Sequence, residues 1–122
     1  MTKKAYIAGP VSSVSHAEAK QRFGAKEREL LRRGYQVVNP VDYVAVKNIK
    51  REMMGLPPLD DGPYRKQLMS YCVSLLAMCD EVHLLRNWQY SQGACIEQKV
   101  AELLGKEIVY PEGEMLDVRF KI

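Results

Sequence analysis

Four short apolar runs, at residues 5–8, 35–38, 81–85 and 107–110, alternate along this chain with longer stretches whose apolar residues recur at helical spacing. The runs stop at Gly9-Pro10, at Asn39-Pro40, at a loop beginning with Arg86 and at Pro111, so each is bounded like a buried strand. The helical signals between them are specific. Ser15 followed by Glu18 forms a capping box, and Ala19, Phe23, Leu30 and Leu31 carry an apolar stripe to Gly34. Leu68, Tyr71, Cys72, Leu75 and Leu76 fall at i, i+3, i+4, i+7 and i+8. A helix is expected over 41–54. Residues 55–63, with three prolines, two glycines and Asp60-Asp61, are expected to form a loop long enough to be mobile or to lie over a site. A last helix carries Glu97 and ends near Gly105. The order β-α-β-α-α-β-α-β calls for a parallel sheet with right-handed crossovers and helices on both faces. The tail beyond Pro111 is expected to add an edge strand or to reach a neighbouring subunit.

A chain of 122 residues fits a single domain, 1–122, with one core. Its net charge of +3 is carried by scattered pairs such as Lys3-Lys4 and Arg32-Arg33, which gives no footprint for polymeric nucleic acid or for a membrane surface. No run approaches the roughly 18 apolar residues of a membrane span. Cys72, Cys79 and Cys95 match neither a zinc knuckle nor a redox pair, so reduced thiols in a cytoplasmic protein are expected, with no metal and no cofactor.

The strongest functional signal lies between Asp80 and Ile108. A strand empties into a short loop, 86–92, and then into a helix with Glu97 one turn inside. Gly93 and Ala94 lie one turn before Glu97, and Val100 and Ala101 one turn after, so its neighbours on that face are small and apolar. The strand-loop-helix order also sets it at the C-terminal edge of the sheet, where open α/β folds bind ligands. A desolvated but ionised carboxylate there is what a nucleophile toward a sugar C1′ requires. The competing reading is a first-turn glutamate that complements the helix dipole, held by Lys66 or another base. Ser91 is a cap whose hydroxyl also reaches a ligand, Gly93 permits close approach, and Trp88 and Tyr90 stack on a base or take a structural or interface role, packing being the commoner fate of a loop aromatic. In the first loop, Gly9, Pro10, Ser12 and Ser13 precede a helix N-terminus, a setting for a phosphate; the loop lacks both GxGxxG and GxxxxGK, and a plain turn capped by Ser15 stands beside that reading. His16 and His83 are expected to be structural.

The segments YIAGP (6–10), GYQVVNP (34–40), CDEVHLL (79–85) and NWQYSQGACIEQKVAELLGK (87–106) together resemble the nucleoside 2-deoxyribosyltransferase superfamily, in particular its small bacterial and phage branch of unassigned function. The resemblance implies a single domain with an α/β, flavodoxin-like (Rossmann-like) parallel sheet of four or five strands and helices on both faces. It also implies cleavage or transfer of the N-glycosidic bond of a 2′-deoxynucleoside or its 5′-monophosphate, without a cofactor. By that resemblance Glu97 is the nucleophile, Tyr6 an active-site tyrosine, Ser91 a contact to the ligand's phosphate and Gly9 part of the ligand-side turn. Pro10, Ser12, Gly93 and Trp88 complete the substrate-side candidates. The implied partner is a small nucleoside or nucleotide, and the implied assembly a homo-oligomer, dimer or tetramer, whose neighbouring subunits complete the pocket. One position departs: Cys72 stands where the superfamily carries an aspartate, and Asp60, Asp61 and Glu52 are the carboxyls that stand to replace it. Three readings follow: an enzyme working through Glu97, a catalytically depleted nucleotide-binding or sensing module, and an assembly subunit whose Trp88 loop is an interface.

Overall fold

A computed structural model of the chain describes residues 2–111. The elements run β1 (Lys4–Ala8), α1 (His16–Arg32), β2 (Gln36–Val38), α2 (Pro40–Met53), α3 (Arg65–Ala77), β3 (Glu81–Leu84), α4 (Gln92–Leu103) and β4 (Glu107–Val109), with a single 3-10 turn at Trp88–Tyr90. The four strands are all parallel, in the order β2-β1-β3-β4. This is the α/β, flavodoxin-like arrangement. The tail expected to pair or to reach outward lies beyond the described residues.

Local chemistry sets the boundaries. Ser15 Oγ accepts from the Glu18 amide at 3.1 Å and starts α1. Asn39 Oδ1 accepts from the Val41 amide at 3.0 Å, and Pro40 opens α2 where its missing N–H costs nothing. Gly34 ends α1 and Gly105 ends α4, at φ of 90° and 70°, a region that side-chain-bearing residues enter only at a cost.

Alternation along β1 divides the core. Tyr6 and Ala8 face the side covered by α3 and α4, with Leu75, Leu76, Val82, Leu84, Ala94 and Ala101. Ala5 and Ile7 face the other side, with Phe23 and Leu30 of α1. Each large apolar side chain buried here contributes on the order of 1.5–3 kcal/mol. On the α1 side β3 also buries two polar groups. His83 Nε2 lies 2.8 Å from Glu81 Oε1, and Lys3 Nζ lies 3.3 Å from the same carboxylate. Burial pushes the Glu81 carboxyl up, but hydrogen bonds from His83, Tyr35 and Lys3 outweigh it and hold the group below its ordinary value.

The strand order positions the site. The chain leaves β1 toward β2 on one side and leaves β3 toward β4 on the other, so the loops after β1 and β3 part and open a crevice at the C-terminal sheet edge. Among the described residues no helix is long and apolar enough to cross a membrane.

Candidate active site

α4 starts where Ser91 Oγ accepts from the Ala94 amide at 3.2 Å. Gly93 fits beneath α3, since a Cβ there would stand 3.6 Å from Met69 Sδ. One turn further on, Glu97 points to the sheet and is only 7% exposed. The hydroxyl of Tyr6, rising from β1, donates to its carboxylate. Burial raises the Glu97 pKa to about 7, against the opposing effect of the Tyr6 hydrogen bond. Burial, then the adjacent Glu97 charge, pushes the Tyr6 hydroxyl well above its ordinary range, so it remains a donor. The Lys66 partnership weighed from sequence is not formed: Lys66 lies with Lys47 and Arg51 along a separate groove between α2 and α3.

Glu97 and Tyr6 open onto a cavity of about 350 Å³. Gly9, Ser12, Ser91 and Gly93 line it, as do Asp60 and Asp61 from the loop after α2, whereas Glu52 does not. Gly9 is there for a packing reason as well, because a Cβ would meet Leu85 Cβ at 2.8 Å and Leu85 Cδ1 at 2.9 Å. The expected long loop does lie over the site. Asn48 fixes it at both ends of one amide: Asn48 Nδ2 donates to the Leu59 carbonyl at 3.1 Å, and the Leu59 N–H donates to Asn48 Oδ1 at 2.7 Å. Leu59 is buried, which brings Asp60 and Asp61 to the mouth.

Pro10, Ser13, Trp88 and Tyr90, also singled out from sequence, do not line the cavity. Pro10 is buried beside it. Trp88 is 5% exposed and packs in the core against Tyr110, ring centres 5.8 Å apart, so its ring is turned away from both a base and a subunit surface. Tyr90 is the exposed aromatic of that loop. Conversely, His16, read as structural, lines the cavity. Asn48 carried no expectation at all. The available signal was spacing, since Val41, Val44, Ala45 and Asn48 follow i, i+3, i+4 and i+7 and all four line the cavity.

The family comparison spans all of these elements. A family model described as Domain of unknown function (DUF4406) matches residues 3–110. The chain belongs to this family. Its match runs from just before β1 to just after β4, so it contains every residue that lines the cavity. No curated protein matches the chain.

Within this family member, Cys72 of α3 occupies the cavity wall beside Tyr6 and Glu97. Burial, with the neighbouring Glu97 charge, pushes its thiol up to about 12. The thiol is therefore neutral near pH 7 and supplies neither a negative charge nor an acid of useful strength. The carboxyls that the cavity does gather are Glu97, Asp60 and Asp61. Among the described residues no three His, Cys, Asp or Glu side chains converge in a metal-holding group.

Proposed function

We propose that this protein cleaves or transfers the N-glycosidic bond of a nucleoside or nucleotide, with Glu97 as the nucleophile. The observation that carries this reading is a buried carboxyl, held by the Tyr6 hydroxyl, facing a ligand-sized cavity at the switch point of a parallel sheet. Desolvation makes such a carboxylate more basic and more nucleophilic than one in water, while its pKa of about 7 keeps a large share ionised at neutral pH. In the reaction a Glu97 oxygen forms a bond to C1′ as the C1′–N bond breaks. The base leaves with that electron pair and takes a proton from solvent. Water or a second base then attacks C1′ and releases Glu97. The two aspartates at the mouth stand in for the carboxyl that Cys72 does not provide.

The second reading, a nucleotide-binding or sensing module without catalysis, is favoured by the same Cys72. Free base released from a panel of 2′-deoxynucleosides and their 5′-monophosphates supports the enzyme; binding with no release supports the sensor. A cytoplasmic homo-oligomer, dimer or tetramer, completes the proposal. It draws support from Tyr43, Val46, Ile49 and Met53, an exposed apolar stripe on α2.

A further inference from the structure

We infer that the cavity takes an uncharged, hydroxyl-rich ligand, a nucleoside without a 5′-phosphate, whose hydroxyls donate to Asp60 and Asp61 at the mouth. This rests on the glycosidic reading above and narrows its substrate class. The lining holds the carboxyls of Glu97, Asp60 and Asp61, with His16 as its basic side chain and, among the described residues, no lysine or arginine. Ionised carboxylates only accept hydrogen bonds, so a ligand that fits them brings donors, as sugar hydroxyls do. A phosphomonoester brings the opposite: about −1.5 to −2 charges and acceptor oxygens.

The nearest guanidinium and both neighbouring helix N-termini are in part engaged already. Arg65, whose Nε lies 3.7 Å from Asp61 Oδ1, also donates to the side chain of Gln92, tying the loop to the start of α4. At the N-termini of α1 and α4 the caps Ser15 and Ser91 each take one first-turn amide, from Glu18 and Ala94, and Glu18 adds a carboxylate to the first turn of α1. Asp60 is fixed in place, its Oδ1 accepting from the Gly62 amide at 3.0 Å and the Tyr64 amide at 3.3 Å, and the Asn48 clamp holds the preceding residue. The acidic mouth is therefore a built part of the site, and it discriminates by like-charge repulsion as well as by attraction.

Calorimetric titration of the Glu97→Gln variant, which binds without turning the ligand over, with 2′-deoxynucleosides and their 5′-monophosphates at low salt tests this. The nucleoside is expected to bind on the order of tenfold more tightly than its monophosphate. In Asp60→Asn/Asp61→Asn, combined with Glu97→Gln, the asparagine at 60 still accepts from Gly62 and Tyr64, and the ratio should fall to about threefold or less. Monophosphate binding as tight as nucleoside binding would overturn the inference and leave the glycosidic reading standing. A ratio unchanged by the aspartate substitutions would overturn the role given to Asp60 and Asp61. No binding of either ligand would overturn the glycosidic reading, and this inference with it.

Discussion

The Tyr6 hydroxyl on β1 donates to the Glu97 carboxylate on α4, across 91 residues of sequence. The bond joins an inner strand of the sheet to the helix that follows its neighbour, and it opposes the desolvation of Glu97. The stability and the chemistry of the site therefore both depend on the titrating proton of the Glu97 carboxyl.

That proton gives a stability signature. The Glu97 pKa is raised from an ordinary 4.5 to about 7, so between those values the native state keeps a proton that the unfolded chain gives up. Its contribution is fully present below about 4.5 and is lost as pH rises through about 7. Glutamine cannot ionise. Glu97→Gln should match wild type in urea denaturation near pH 4.5 and exceed it near pH 8, by on the order of 3 kcal/mol. Identical midpoints at both pH values would mean that the carboxyl is not desolvated.

Activity should follow the same group with the opposite slope. A nucleophilic carboxylate gains as it ionises, so kcat/KM for base release is expected to rise with pH and level off above about 7. Tyr6→Phe removes the bond that lowers the Glu97 pKa, so the rising limb should move to higher pH. A profile that Tyr6→Phe leaves in place would remove the tyrosine from control of the carboxyl.

Much of this was legible in the chain, and the reasons differ by residue. The strands were readable because three of the four apolar runs end at a proline or the residue before one, and α1 and α4 because Ser15 and Ser91 are caps whose side chains accept from first-turn amides. The burial of Glu97 was readable because its neighbours on that helical face are small and apolar. Trp88 was readable only in part: packing was the commoner fate for a loop aromatic, but such a tryptophan has no periodicity to say which way its ring turns, and here Tyr110 from beyond β4 receives it. The Asn48 clamp was hidden for a related reason: an amide pairing with backbone 11 residues away is a tertiary event that leaves only a stripe on α2.

That clamp can be tested directly. Asn48→Ala removes both bonds to Leu59 and should cost about 1–3 kcal/mol, much of it from leaving the part-buried Leu59 groups unpaired. Because the loop carries Asp60 and Asp61 to the cavity, KM should rise more than kcat falls. Proteolysis within 55–63 should accelerate. Unchanged cleavage and unchanged KM would show that the loop is held by other contacts.

Gly9 is a packing position before it is anything else. An added methyl would stand 2.8 Å from Leu85 Cβ, an atom fixed to the backbone that cannot swing away. Gly9→Ala should therefore destabilise by about 1–3 kcal/mol, seen as a lower denaturation midpoint. A neutral substitution would mean that the loops after β1 and β3 separate easily.

Release of free base from a panel of 2′-deoxynucleosides, followed by chromatography for wild type and Glu97→Gln side by side, tests the central claim most directly. Wild type should release base from at least one nucleoside of the panel, and Glu97→Gln, folded and still able to bind, should lose on the order of a thousandfold or more in rate. A Glu97→Gln protein that retains most of the wild-type rate, or a wild type that binds the panel and releases no base, would contradict it.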